Sequence, residues 1–423
     1  MNKLFAFILS LTLVVFAISC KHDTDLLTPE ESGGSRVDPP TTPQPEGAIT
    51  PVGTPDGEVL TAMIGPAGGT IESKDRRVRV VIPAGALASS QSISVQPITN
   101  NCPSGAGQAF RLIPHGITFA KPASITFQYD ESDVLGSAPE ALRIAYQTDK
   151  GSWKSPARRS LDTAARTLSV ETTHFSDWTF FKNIELDPGL GVVNPGGSIN
   201  LKVRQHIADP GAVMEDLFVP LPSVISEKYI KQWTVSGPGA LAHNQATATY
   251  YAPEHIPAKN PVAITVSLNQ SVTIDGQVFK DIRLVSNIMV APEGISVQID
   301  GAEWKTYTGG INVRAQSTIL LGRNGSELCE LAFPGTKTGI FRWTMGADVV
   351  FNLNMGTIIY QHIYEKNKKP ILSDGNLRVI DISEEWVWGT FTVLPAGWIM
   401  PKATREPTGT ANINGIFRLR RTP

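Results

Sequence analysis

Short runs in which apolar and polar residues alternate dominate the chain after residue 57. Between Arg77 and Ile82, for example, Val78, Val80 and Ile82 fall on one face of an extended segment. Glycine and proline turns separate these runs, and long stretches of helical periodicity are almost absent. The pattern therefore predicts an all-β protein made of sandwich or barrel-like domains.

The N-terminus differs, because a nearly unbroken apolar run extends from Leu4 to Ile18. Its length suits a secretory signal better than a membrane-spanning helix. The run ends in "FAISC", and the small residues before Cys20 resemble a bacterial lipobox. The resemblance implies a lipoprotein signal peptide over residues 1–19 and an acylated Cys20 that holds the protein on a membrane. Ordinary cleavage next to an incidental cysteine is the alternative.

Residues 20–57 contain seven prolines and few large apolar side chains. Such a segment cannot bury enough surface to order itself, so we expect a disordered tether with a reach on the order of 100 Å. Asp23 and Asp25 follow the cysteine and resemble a signal that sends some Gram-negative lipoproteins to the cell exterior; a solvated charge pair is the alternative. The expected location is the cell envelope, as an outer-membrane lipoprotein on its exterior or periplasmic side.

The first predicted domain, residues 58–183, combines "IGPAGGTIES", "VRVVIPAGAL", "LIPHGITFAKPASITFQYD" and "THFSDWTFF". Together these motifs resemble the domain shared by zonula occludens, netrin-receptor and ankyrin proteins, here called the ZU-type domain. The resemblance implies a β-sandwich that packs against neighbouring domains. It implies no catalysis, apart from self-cleavage in some members.

The triplet His174-Phe175-Ser176 is the place where such cleavage would occur. Ser176 is next to the Phe175 carbonyl, and His174 could take its proton if the backbone turned. In a plain strand, Phe175 instead points into the core while His174 and Ser176 share the opposite face. We prefer strand packing, and cleavage at Phe175–Ser176 stays the alternative.

The second predicted domain covers residues 184–291. Its order of a Trp233 strand, a "TYYAP" corner and an "NPVAITVSL" strand resembles bacterial immunoglobulin-like surface domains. No cysteine pair joins the sheets, so the core must depend on Trp233 and the aliphatic faces. The insertion 206–229 is unusual for a simple sandwich and is interpreted as a binding loop or a long crossover.

The third predicted domain covers residues 292–423. It opens with Ile295, Val297 and Ile299 in alternation and closes with "GTFTV" and "INGIFRL". These segments resemble a small β domain of unknown function found in many Gram-negative lipoproteins. Its opening and closing strands would pair at the ends of a sandwich or calycin-like barrel.

Few residues point to chemistry. No histidine has metal-ligand spacing with another, and nucleophile-elbow, Walker and HExxH motifs are missing. The acidic cluster Asp130, Glu131 and Asp133 could hold calcium, although a turn with solvated carboxylates is the preferred interpretation. Trp386 and Trp388, two residues apart on one predicted face, would make a sugar-stacking platform if exposed and core if buried.

The sequence therefore predicts a protein without enzymatic activity, cofactor or metal. The net charge of −2 gives no electrostatic argument for nucleic acid. We expect a lipid-anchored chain that displays β domains to an unidentified protein or glycan. A self-cleaving surface protein is the alternative. Cys102 and Cys329 lie in different predicted domains, so we expect buried thiols rather than a disulfide.

Overall fold

Two antiparallel sheets form the N-terminal sandwich of the computed structural model, which describes residues 47–207, 216–274, 277–314, 316–400 and 408–421. Its strands are β1 (Leu60–Ile64), β2 (Gly69–Glu72), β3 (Val78–Ile82), β4 (Gln91–Ile98), β5 (Gly105–Ile113), β6 (Thr118–Gln128), β7 (Leu142–Gln147), β8 (Trp153–Ser155), β9 (Ser160–Asp162), β10 (Thr167–His174) and β11 (Asp177–Lys182). One sheet has the order β1-β4-β5-β11-β7-β8 and the other β2-β3-β6-β10-β9. The alternation in β3 is confirmed, because Val78, Val80 and Ile82 are fully buried between the sheets.

The middle sandwich follows directly. Its strands are β12 (Ile184–Asp187), β13 (Leu190–Val193), β14 (Ser198–Gln205), β15 (Leu217–Phe218), β16 (Ser223–Val224), β17 (Ile230–Ser236), β18 (Ala240–Asn244), β19 (Thr247–Tyr251), β20 (Val262–Leu268), β21 (Val272–Ile274), β22 (Gln277–Phe279) and β23 (Arg283–Val290). The sheets β12-β14-β19-β18 and β13-β23-β20-β17 enclose a core that includes Trp233, as the sequence predicted. The pair β13–β23 is parallel.

The C-terminal region is a closed barrel. Its strands are β24 (Gly294–Ile299), β25 (Lys305–Val313), β26 (Ser317–Asn324), β27 (Glu327–Pro334), β28 (Gly339–Phe341), β29 (Val350–Asn354), β30 (Ile359–Gln361), β31 (Ile363–Lys366), β32 (Lys369–Leu372), β33 (Asp374–Ile382), β34 (Trp386–Ile399) and β35 (Thr408–Arg420). Eight of them close the ring β24-β25-β26-β27-β29-β30-β34-β35, since β35 pairs with both β34 and β24. Side chains such as Phe333, Phe351, Phe391 and Phe417 fill its interior.

The all-β prediction is therefore confirmed. The helical turns in the described residues are the short 3-10 segments Pro139–Ala141 and Glu227–Tyr229. None of the helices in the described residues has the length and apolar character needed to cross a bilayer. The predicted signal peptide, the Cys20 lipidation site and the tether up to residue 46 lie outside the described residues.

The joints between the three regions are packed. Cys102, Trp153 and Phe181 of the N-terminal sandwich form one apolar cluster with Ile207 and Val219 from the middle region. Met289 and Ala291 form another with Trp388 and Ile416 of the barrel. The described residues from Gly47 to Arg421 accordingly belong to one compact unit. The predicted boundary residues Asn183 and Ala291 are themselves buried.

The expected start of the folded part needs a correction, because residues 47–57 were assigned to the disordered tether. Ala48 exchanges backbone hydrogen bonds with Trp153 and Val219, and the amide of Asp56 donates to the Pro97 carbonyl. Polar side chains of the sandwich also bind this segment, including Arg111, which donates to the Gly53 carbonyl. The proline-rich composition predicted a disordered segment. The structure instead shows that backbone groups of this segment form hydrogen bonds with a neighbouring sheet.

Candidate functional site

An open groove of about 570 Å³ runs along one side of the N-terminal sandwich. One wall is the connection 156–160 between β8 and β9, and the other is the end of β10, Ser169–His174. Trp178 lies on the floor and Asp216 at the rim. The chain leaves one sheet after β8 and joins the other at β9, and the groove lies beside this crossing.

Three aromatic rings pack together at the floor of the groove, with Tyr146 edge-on to His174. The His174 ring is 4.7 Å from the Tyr146 ring and 5.6 Å from the Trp178 ring, nearly parallel to the latter. The Tyr146 hydroxyl donates to a carboxylate oxygen of Asp216 at 2.7 Å. Burial and, secondarily, this carboxylate raise the pKa of Tyr146 well above its usual value. The hydroxyl is therefore a permanent donor that holds Asp216 at the rim.

Charged side chains of both signs line the groove. Arg158 and Arg159 belong to the wall 156–160, and Arg159 donates to the Glu140 carbonyl at 3.1 Å. Glu171 projects from the opposite wall and is exposed. Within the described residues Glu171 takes part in no ion pair and no side-chain hydrogen bond, whereas Asp216 accepts a hydrogen bond from the Tyr146 hydroxyl. Glu171 is thus an anionic group of this groove that can receive a cation.

The triplet next to the groove is built into the sandwich. Phe175 is buried edge-on against Phe119, at 4.8 Å between ring centroids, but the triplet is not the plain strand that was predicted. Strand β10 ends at His174 and β11 begins at Asp177 in the other sheet, so Phe175 and Ser176 form the crossing between the two sheets. Ser176 is also buried, and its hydroxyl donates to the Gln147 carbonyl. His174, the base that the cleavage hypothesis requires, instead stacks on Trp178.

The imidazole within range of Ser176 belongs to His115, whose Nε2 is 3.4 Å from the Ser176 Oγ. The other ring nitrogen of His115 is 3.6 Å from the Asp149 carboxylate, and the amide of Gly116 donates to the Phe175 carbonyl at 3.1 Å. Sequence reasoning missed His115, because it is 61 residues from Ser176 and no local motif joins the two.

The tryptophan pair does not form one exposed platform. Trp388 is buried in the joint with Met289 and Ala291. Trp386 is half-buried, and the guanidinium groups of Arg418 and Arg420 cover its ring at 4.4 and 4.8 Å. Stacking of a sugar on both rings would require the joint to open.

The acidic cluster is occupied by a cation of the chain itself. Arg77 binds Asp130 at 3.0 Å and the buried Asp133 at 2.5 Å, while Glu131 lies 3.5 Å from Arg166. Arg77 thus pairs with two of these carboxylates, and the burial of Asp133 corrects the predicted turn, in which all the carboxylates were solvated. Elsewhere among the described residues, no group of three or more His, Cys, Asp or Glu side chains is placed to hold a metal ion. Cys102 and Cys329 are buried and unpaired, and burial raises the pKa of both thiols.

The insertion 206–229 forms a bridge to the N-terminal sandwich. Its strand β15 pairs with β8, and Val219 enters the apolar cluster around Trp153. His206 donates from Nδ1 to the Pro220 carbonyl at 2.7 Å and packs edge-on against Phe181. The described parts of the insertion thus act in packing rather than as a free loop.

Comparison of the chain with models of protein families and with curated protein sequences found no match. The resemblances to ZU-type and immunoglobulin-like domains therefore stay predictions from the motifs quoted above.

Proposed function

We propose that this chain is a non-enzymatic lipoprotein of the cell envelope, held on a membrane through Cys20, which displays its β domains for binding. The membrane part of the proposal depends on the signal-like run that ends in "FAISC". The observation that carries the binding part is the groove of about 570 Å³ in the N-terminal sandwich. Its volume is in the range of ligand sites, and an open sheet edge adjoins it.

The packed joints support a display role. Apolar clusters join the N-terminal sandwich to the middle region and the middle region to the barrel. Burial of such surface favours one fixed arrangement of neighbouring domains over free relative motion. A chain anchored by an acyl group at Cys20 would therefore display the groove on a rigid unit made of all three regions.

Metabolic labelling with a fatty-acid analogue tests the anchor. We expect label on the native chain and on Cys102→Ala, a cysteine control at a buried position, and no label on Cys20→Ala. Cys20→Ala should also leave the membrane fraction. Retention of label in Cys20→Ala would contradict the proposed anchor.

Self-cleavage at Phe175–Ser176 is the second candidate. The observations in its favour are the 3.4 Å approach of His115 to the Ser176 hydroxyl and the Gly116 amide on the Phe175 carbonyl. Attack would require that hydroxyl to leave the Gln147 carbonyl, to which it donates. We therefore rank it below the binding role.

A further inference from the structure

The two sheets of the N-terminal sandwich end differently at the groove. The outer edge of β8 is covered, because β15 pairs with Lys154 and Ser155, and Ala48 binds Trp153. The outer edge of β10 is covered only in its first half, where β9 pairs with Thr167–Ser169. Within the described residues, no strand pairs with the outer edge of β10 from Glu171 to His174.

The hydrogen-bonding direction of this free edge follows from its register. The Tyr129 amide donates to the Arg166 carbonyl, and β10 and β6 continue in antiparallel register from there to Thr172, after which the register shifts. In such a pair every second residue faces the partner, so Leu168, Val170 and Thr172 face β6. Glu171 therefore directs its N–H and C=O away from β6, on the side where Ser169 meets β9.

The space beside Glu171 is the groove. The wall 156–160 turns away from β10 toward β8, and no strand of the described residues continues the line of β9. A strand in that line would find the two backbone groups of Glu171 at its side and Trp178 below. The Trp178 indole N–H is buried and has no acceptor among the described residues, so the floor also retains an unused donor.

We propose that the β10 edge from Glu171 to His174 binds an extended peptide segment of a protein partner as an added strand, with a basic residue of that peptide opposite Glu171. Main-chain pairing would supply the affinity, as in other cases of strand addition. The exposed Glu171 carboxylate, which has no ion pair in the described residues, would select the basic residue, because opposite charges across a strand pair attract. The inference rests on the proposed binding function and names its partner.

The same sandwich already uses this mode of recognition. The segment 217–219 reaches across from the middle region, adds β15 to β8 and buries Val219 in the cluster around Trp153. An edge of this fold therefore accepts a short extended segment when a side chain can anchor it. The β10 edge likewise offers backbone groups at Glu171 that are unpaired in the described residues. Here the side chain that would anchor the added segment is the Glu171 carboxylate, where β8 uses the apolar cluster around Trp153.

The test starts from a phage library of random peptides about eight residues long, selected on the purified full chain. We expect selected peptides with lysine or arginine among alternating β-formers. In synthetic form, each peptide should lose at least about tenfold in affinity when the amide that pairs with Glu171 is N-methylated, because one strand hydrogen bond is removed. N-methylation at neighbouring, outward-facing amides should have little effect.

Two variants examine the protein side. Glu171→Lys should weaken binding by about tenfold or more, whereas Glu384→Lys, the same change on an exposed barrel residue, should not. Amide exchange at Glu171 should slow on peptide binding, while exchange at Val170, already paired with β6, should change little. Thermal melts would check that both variants fold.

Failure to select any binder would overturn the inference. Equal binding to Glu171→Lys, or tolerance of N-methylation at every position, would also overturn it, since the peptide would then be held elsewhere or by side chains alone. Lipid labelling at Cys20 is independent of these measurements. If the native chain bound the peptide but carried no lipid label, the proposed anchor would be wrong and the proposed strand addition would still hold.

Discussion

The C-terminal barrel and the N-terminal sandwich treat the edges of their sheets differently. In the barrel, β35 pairs with both β34 and β24, so the ring has no free edge. In the sandwich, the side at β8 and β9 stays open among the described residues, where the insertion covers β8. Closure leaves the barrel with an interior filled by its own rings, whereas the open side of the sandwich leaves a groove.

The difference suggests a division of roles within one β-rich chain. A closed ring satisfies its backbone groups internally and resists unwanted pairing. An open edge is a liability unless something covers it, and the chain itself covers β8 with the insertion. The half-covered β10 is the edge at which we propose that a second chain adds a strand.

The filled barrel interior gives the largest expected effect. Phe391 is buried against Phe351, at 5.4 Å between centroids. Phe391→Ala should lower the free energy of unfolding by about 3–5 kcal/mol, since it leaves a cavity in a packed core. Ile340→Ala, at a barrel residue that is 64% exposed, is the control and should change it little. Chemical denaturation measures both; a loss below about 1 kcal/mol for Phe391→Ala would mean an interior that is not tightly filled.

The edge of β8, which the insertion covers, should give the next largest effect on stability. Val219 is fully buried, and its amide donates to the Trp153 carbonyl at 3.0 Å. Val219→Asp would bury an unpaired carboxylate, so we expect a loss of about 3 kcal/mol and faster amide exchange in β8. Val224→Asp, in the same insertion but exposed, should stay within about 0.5 kcal/mol. Unchanged exchange in β8 would show that the insertion does not hold that edge.

The pairing of the insertion with β8 should weaken at acidic pH. Burial lowers the pKa of His206, with partial compensation from the Pro220 carbonyl and Glu185. The unfolded chain therefore binds a proton first, and stability due to neutral His206 is present above about pH 6.5 and lost as the pH falls through that value. The protection factor of the Val219 amide, which corrects its exchange rate for the intrinsic rate at each pH, should fall between about pH 7.5 and 5.5. His206→Asn, which does not titrate, should show a flatter dependence; equal slopes would contradict the prediction.

The smallest effect concerns Ser176, beside the open edge. We expect the native chain to run as a single band on a denaturing gel. Ser176→Ala should cost about 1 kcal/mol, because the Gln147 carbonyl loses its donor. Two fragments that meet between Phe175 and Ser176 would instead support the cleavage alternative. In that case Ser176→Ala and His115→Ala should abolish them, whereas His174→Ala should not.

Local pattern was enough to predict much of the fold. Alternation identified the buried faces of β3 and β24, and the sequence context of Trp233 placed it in a core. A strand alternates its side chains by its own pleat, so this information is present in a few consecutive residues. Phe175 is buried as expected, but not by this rule, because it lies between β10 and β11 and not within a strand.

Partners across long sequence separations could be decided only by the tertiary structure. No pattern near Leu217 shows that it pairs with Ser155, and none near Ser176 indicates His115. Trp386 and Trp388 looked equivalent, yet only the joint with the middle sandwich buries one of them. Likewise, the sequence of β10 does not show how far its outer edge is paired, and no described strand pairs with that edge at Glu171 because β9 is short. The pleat is a property of one strand, whereas edges, joints and grooves depend on which strands meet.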